Sequence, residues 1–148
     1  MPRLEEITPD NLAAAVEIKV SLAQEAFVAP VVASLAEAYA SRQTAWPRLV
    51  YDGDRAVAFV MANFDPGHEI EAFRCGVWRL NVAAAEQGKG YGSFAVRALC
   101  EEARRRGHRR VTVLWEPGEG GPEGFYLRLG FKRTGEVLFG ETVGELAL

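Results

Sequence analysis

The stretch Glu86-Gln87-Gly88-Lys89-Gly90-Tyr91-Gly92-Ser93 lies between an apolar run ending at Val82 and a long helical pattern. Glycine at three alternating positions gives a backbone that bends freely and lets a ligand come very close. The segment feeds the start of a helix, where unpaired N–H groups and the positive dipole end favour an anion such as phosphate. Two glycines here would read as a plain turn joining strand to helix. Three of them, with a lysine between and a helix following, favour a phosphate loop.

Two familiar phosphate loops fail the comparison. Walker A needs Gly-x-x-x-x-Gly-Lys followed by Ser or Thr, whereas Gly88-Lys89 is followed by Gly90 and Ala83 stands five positions before Gly88. The dinucleotide fingerprint needs Gly-x-Gly-x-x-Gly early in the fold, and Ser93 stands where its third glycine would be. The pattern that fits is Gln-x-x-Gly-x-Gly, carried by Gln87, Gly90 and Gly92. It resembles the acyl-CoA pyrophosphate loop of the GNAT N-acetyltransferases.

Composition bounds the rest. At 148 residues, 49% hydrophobic and 25% charged, the chain suits one globular domain spanning residues 1–148. A net charge of −3 argues against nucleic acid as a partner, because phosphate neutralisation needs a basic surface. Two cysteines, Cys75 and Cys100, form neither a CxxC pair nor a dense spacing, so no metal site or disulfide framework is expected. The opening residues carry no apolar targeting core and no run approaches transmembrane length, so a cytoplasmic protein without a membrane partner is expected.

Taken in order, residues 4–7 read as a first strand. Thr8-Pro9-Asp10 reads as a helix start, followed by a face of Leu12, Val16 and Val20. Pro30 opens a second helix with Val31, Leu35 and Tyr39 on one face, and residues 41–47 read as a loop. Residues 48–51 and 56–61 form a hairpin around Asp52-Gly53-Asp54, Asp65-Pro66-Gly67 is a turn, and residues 73–82 are a long strand. The pattern from Tyr91 to Arg106 is a helix with Val96, Leu99, Cys100 and Ala103 on its apolar face, ended by Gly107. Residues 111–115 form a buried strand, 116–121 a flexible loop, 122–129 a short helix, and 131–137 and 142–148 the last strands. This order resembles the whole GNAT fold, an α/β (α+β) arrangement with a mixed central β-sheet flanked by helices.

A second motif lies downstream, Phe125-Tyr126-Leu127-Arg128-Leu129-Gly130-Phe131. Alone, Phe125 and Leu129 are helical core positions and Tyr126 is a packed aromatic. In the family resembled, the Tyr at this place protonates the leaving thiolate of CoA, which implies Tyr126 as catalytic acid. The resemblance implies direct attack by an amine on acetyl-CoA, with Gln87, Gly88, Lys89, Gly90, Tyr91, Gly92 and Ser93 around the pyrophosphate. It also implies that Leu80, Asn81 and Val82 pair their backbone with pantetheine like an added strand, one N–H meeting the developing oxyanion.

The base is left open, because no carboxylate occupies the end of the strand before the loop; Glu71, Glu116 and Glu119 are candidates. Glu119 also falls where many relatives carry a cofactor-contacting Asn. Arg104, Arg105, Arg106, Arg109 and Arg110 complement a helix C-terminus, and His68 and His108 read as surface residues. The acceptor site of this fold would fall on residues 21–28, with Gln24 and Phe27, and on residues 135–145. Glu25, Glu136, Glu141 and Glu145 make that region acidic, suiting a cationic amine. The run PGEGGPEGFYLRLGF with TGEVLFGE looks like the spermine/spermidine acetyltransferase-like branch, so the expected partner is a small-molecule amine, a polyamine among the choices. An amino acid, an antibiotic amine, a protein N-terminus, or a non-catalytic acyl-CoA-binding role are the alternatives. A homodimer is common in that family.

Overall fold

The computed structural model describes residues 1–148. Its strands are β1 (Pro2–Glu6), β2 (Ala45–Asp52), β3 (Arg55–Phe64), β4 (Cys75–Val82), β5 (Arg110–Trp115), β6 (Lys132–Leu138) and β7 (Glu141–Ala147). The helices are α1 (Leu12–Glu17), α2 (Val31–Ala40), α3 (Tyr91–Arg105) and α4 (Glu123–Arg128). All seven strands join one sheet in the order β1-β2-β3-β4-β5-β7-β6. Every neighbouring pair is antiparallel except β4 and β5, which run parallel. The expected mixed sheet flanked by helices is therefore present.

The two faces of the sheet carry different cores. On one, Ala95, Val96, Leu99, Cys100 and Ala103 of α3 pack with Val57, Val60, Val77, Val111, Val113 and Trp115. Burying one Val or Leu is worth about 1.5–3 kcal/mol, so this face supplies most of the apolar stabilisation. On the other face α1 and α2 cover Leu49, Phe59 and Met61. Strand β3, covered on both sides, reads as a nearly continuous buried run from Val57 to Ala62.

Four expectations need correction. Helix α1 ends at Glu17 and buries Ala15 and Ile18, while Leu12 is exposed. Its entry is held by Asn11, whose Oδ1 accepts from the Thr8 N–H at 2.8 Å and whose side-chain amide donates to the Glu6 carbonyl at 2.8 Å. Asn11, rather than Thr8, is the N-cap position, and its side chain braces the preceding turn without capping a helix N–H. Helix α2 begins after Pro30 as expected, but buries Val31, Ser34 and Ala38, leaving Tyr39 exposed. Residues 45–47 are strand rather than loop: Pro47 pairs with Met61, and because β1 reaches only as far as Arg48, its missing N–H lies at an edge position. Residues 71–73 form a 3-10 turn, so the long strand starts at Cys75.

Candidate active site

The parallel pair β4 and β5 touches at only two positions, Gly76 opposite Thr112 and Val77 opposite Val113. Contact there is close: a Cβ on Gly76 would lie 2.6 Å from Thr112 Oγ1 and 2.9 Å from its carbonyl oxygen. Immediately beyond, Trp78 has no opposite number, since Val77 pairs with Ala62 and Arg79 with Met61. This bulge bends β4 and reverses its alternation. Leu80 and Val82 consequently continue the α3-facing row of Cys75 and Val77, while Trp78 packs on the opposite core. From Trp78 to Val82, β4 has no strand on its β5 side. The fork opens into a groove of about 1700 Å³.

The glycine loop closes one end of this groove. Gly88 and Gly90 have φ of 79° and 87°, with open space where a Cβ would stand, so glycine serves backbone conformation there. Gly92 is different. It lies in α3, and a Cβ would meet the Phe125 ring at 3.1 and 3.2 Å and Val82 at 3.5 Å. Its smallness lets α3 approach α4. The backbone N–H groups from Gly88 to Ser93 donate to no protein acceptor, and Gly88, Gly90, Gly92 and Ser93 line the groove. This crown of free N–H groups at the head of a 15-residue helix fits a pyrophosphate.

The side chains of the loop are mostly braces. Gln87 donates to the Val82 carbonyl at 3.1 Å and to Gln24 Oε1 at 2.6 Å, and accepts from the Gln24 amide at 3.0 Å. Gln24 also caps its own turn, accepting from the Ser21 N–H at 3.2 Å. It lines the groove, where its amide is engaged by Gln87 and clasps the Ser21–Pro30 segment to the loop. The Tyr91 hydroxyl donates to Asp52, tying the β2–β3 turn to α3, and this bond raises the phenol's pKa. Lys89 turns away to Glu86 at 3.4 Å and does not line the groove. Burial works against ionisation of Glu86, but Arg55 and Lys89 outweigh it and hold the carboxyl below its ordinary value. Asn81 is buried, its amide donating to the Ala29 carbonyl at 3.0 Å, and only its neighbours Leu80 and Val82 line the groove.

Tyr126 stands on the α3 side of the fork. It is 5% exposed, stacked on Trp115 with ring centroids 5.8 Å apart, and flanked edge-on by Phe125 and Phe131. Trp115 is itself fixed by donating to Glu123 at 3.0 Å. The Tyr126 hydroxyl makes no hydrogen bond within the protein, and the residue lines the groove. Burial raises its pKa, so the phenol keeps its proton throughout the neutral range. A protonated hydroxyl with no protein partner on a groove wall can donate to a ligand there.

Across the fork lies an acidic rim. The β5–β7 ladder ends at Trp115 opposite Thr142; Glu116 follows β5 directly and Glu141 opens β7, close enough for their charges to interact. Both line the groove, as does Glu25. Burial, then the Glu116 charge, push Glu141 above its ordinary value, with Arg79 pulling the other way. Arg79 is engaged by Glu37 at 3.1 and 3.2 Å. Of the other acids expected here, Glu145 pairs with Arg110 at 2.5 Å, and Glu71, Glu119 and Glu136 do not line the groove.

Phe27 lines the groove and rests on the 116–121 loop, 3.1 Å from where a Gly121 Cβ would stand. Phe139 was not anticipated. It occupies the first of two positive-φ positions in the β6–β7 turn (51°, then Gly140 at 79°), and its ring stacks on Phe73 at 6.0 Å. Phenylalanine is unusual in such a turn, where Asn or Gly relieves the strain; here the strain sets an aromatic ring at the groove mouth.

Of the remaining residues, His68 lines the groove and the others pack or pair away from it. Arg104, Arg105 and Arg106 pair with Glu101 and Glu102 on α3. Both histidines are half-buried against phenylalanines, His68 on Phe73 and His108 on Phe64, rather than free on the surface. Cys75 and Cys100 are buried free thiols, and desolvation pushes Cys75 up to about 12. No helix is long and apolar enough to cross a membrane.

Comparison with known proteins agrees with this geometry. A family model described as "Acetyltransferase (GNAT) family" matches residues 15–131. No curated protein matches the chain. Among solved structures, the GNAT domain of S. lividans PAT is 20% identical with a TM-score of 0.78, covering 99% of this chain and 90% of its own. The aminoglycoside acetyltransferase AAC(6')-Ib, in complex with coenzyme A, is 18% identical with a TM-score of 0.77, covering 99% and 95%. The PaiA N-acetyltransferase from Thermoplasma acidophilum, also with coenzyme A, is 11% identical with a TM-score of 0.71, covering 100% and 99%. At these identities the likeness is one of fold.

Proposed function

The chain belongs to the acetyltransferase (GNAT) family, and we propose that it moves an acetyl group from acetyl-CoA to a primary amine of a small cationic molecule, a polyamine foremost. Members of the family are N-acetyltransferases that use acetyl-CoA. The observation that carries the reading is the pairing of two unspent donor sets on one groove. One is the free N–H crown from Gly88 to Ser93, the other the unpartnered Tyr126 hydroxyl.

Bound acetyl-CoA supplies a thioester carbonyl open to attack by an amine nitrogen. The N–H groups of residues 88–93 would hold its pyrophosphate, with the dipole of α3 adding to the attraction. The unpaired edge of β4 at Leu80, Asn81 and Val82 would hold its pantetheine arm by strand addition. Tyr126 holds a proton on its phenolic oxygen and would release it to the departing sulfur, the role of a general acid. Gln87 and Gln24 act earlier, locking the loop against β4 and the Ser21–Pro30 segment.

The acceptor assignment draws on the acidic rim. Glu25, Glu116 and Glu141, with Asp65 and Glu86, put five carboxylates on the groove against two arginines, Arg79 and Arg128. Such a rim concentrates cations and repels anionic amines. The test is thiol release from acetyl-CoA with a panel of amines. Spermidine and spermine should outcompete monoamines, and added salt should weaken them by screening the rim. Preference for neutral amino acids or protein N-termini would remove the polyamine assignment and keep the acetyltransferase.

A further inference from the structure

We propose that Glu141, the first residue of β7, which shares with Glu116 (the residue that follows β5) the rim of the groove that Tyr126 also lines, takes the proton from the acceptor ammonium. This rests on the acetyl-transfer reading above and supplies the group that reading leaves open.

Three features of placement carry it. The Phe139–Gly140 turn is only two residues long, so Glu141 is the first residue of β7 and its position is fixed by the ladder rather than by a loop. Glu116 follows the ladder's last pair, Trp115 and Thr142, and stands close enough for its charge to act on Glu141. The second feature is the division of labour across the sheet. Val111, Val113 and Trp115 point into the α3 core, so the intervening Leu114 points the other way, and Thr142 pairing with Trp115 puts Glu141 on that opposite face too. Tyr126 stacks on Trp115 from the α3 side. Acid and base candidates thus approach one groove from opposite faces of the same two strands, as a reaction that gives a proton on one side and takes one on the other requires. Third, the Tyr126 hydroxyl has no protein partner and lines the same groove, which marks the carboxylates' surroundings as a ligand site.

Two like charges near each other cannot both ionise as easily as either alone. Burial first and the Glu116 charge second raise the proton affinity of Glu141, while Arg79 on β4, already shared with Glu37, tempers the effect. An incoming ammonium relieves the repulsion by sitting between them. In one turnover the amine nitrogen forms a C–N bond to the acetyl carbon as the C–S bond breaks, and it gives up two protons. Glu141 takes the first and passes it to solvent at the exposed rim. Tyr126 gives its own proton to the sulfur and is reloaded, through solvent, by the second. The sum is one amide, one thiol and one proton released. In this scheme Glu141 is a catalytic residue and Glu116 a positioning residue.

The experiment has a kinetic arm and a spectroscopic arm. With spermidine, Glu141→Gln should lower kcat/KM by about 10²- to 10⁴-fold, leaving the Kd for acetyl-CoA within twofold. Glu141→Asp should recover part of the loss. Glu116→Gln should move the acidic limb of the pH profile to lower pH, an effect a merely structural role would not give. Retention of wild-type kcat/KM by Glu141→Gln would overturn the proposal. Independently of turnover, carboxyl-carbon NMR of glutamate-labelled protein should show Glu141 titrating above an ordinary carboxylate. It should move down in Glu116→Gln, and both resonances should shift when spermidine is added. An ordinary, Glu116-independent titration without a spermidine shift would also overturn it. If the wild type acetylates no amine, the acetyl-transfer reading fails, and the spectroscopic arm alone decides whether the pair holds a cation.

Discussion

Glycines 90 and 92 stand two residues apart, one at the cap of α3 and one inside it, with different jobs that substitution should separate. Gly90 has φ 87° and ψ 5°, the left-handed region, with nothing within 4 Å of where a Cβ would be. Gly90→Ala therefore meets no neighbour and suffers only backbone strain, about 1–2 kcal/mol. For a domain of this length that is a fall in Tm of roughly 2–8 °C. Asn tolerates the left-handed region better, so Gly90→Asn should lose less than Gly90→Ala. At Gly92 the order reverses. The backbone is helical, and a Cβ would press on the Phe125 ring at 3.1 and 3.2 Å. Ala should cost about 1–3 kcal/mol by overpacking, and the larger Asn should cost more. Thermal melts of the four variants, with acetyl-CoA titrations beside them, give the comparison. Equal effects of Ala and Asn at position 90, or Asn milder than Ala at position 92, would refute the reasoning.

Gly144→Ala should damage catalysis from a position outside the groove, because its Cβ would fall 2.5 and 2.7 Å from the Trp115 ring on which Tyr126 stacks. A loss of about 1–3 kcal/mol in stability, a changed tryptophan emission and a reduced kcat are expected together. His108 has its pKa lowered by burial first and by Arg106 second. Folding thus makes it a weaker base, the unfolded chain binds the proton more tightly, and stability should fall as pH drops below about 6.5, its ordinary value. Urea melts between pH 5 and 8 should show that loss in the wild type and a smaller one in His108→Gln.

Much of the active site was legible because its signals are local. Gly88, Gly90 and Gly92 announce a special backbone within five residues, and the apolar face of α3 at Val96, Leu99, Cys100 and Ala103 follows the helical period. The family motifs added what periodicity could not, the role implied for Tyr126. The faces of α1 and α2 were misread because nearly every residue there is apolar. With Ala, Val and Leu on several sides, the buried row is chosen by what the helix meets, here Leu49, Phe59 and Met61. Residues 45–47 hid as strand because Pro47 suggests a loop, and only the early end of β1 makes room for it. Glu141 was counted as part of an acidic region but not as a partner of Glu116. The two are brought near each other by the pairing of β5 with β7, which no local pattern encodes. Lys89, which looks like a phosphate ligand in sequence, is turned aside by Glu86.

The central claim is that a buried, unshared phenol completes acetyl transfer in this groove, and Tyr126→Phe tests it most directly. The change removes one oxygen and leaves the stacking on Trp115, Phe125 and Phe131 in place. With the best amine of the panel, kcat should fall by about 10²- to 10⁴-fold, while Tm and the Kd for acetyl-CoA stay close to wild type. Undiminished turnover by Tyr126→Phe would contradict the account.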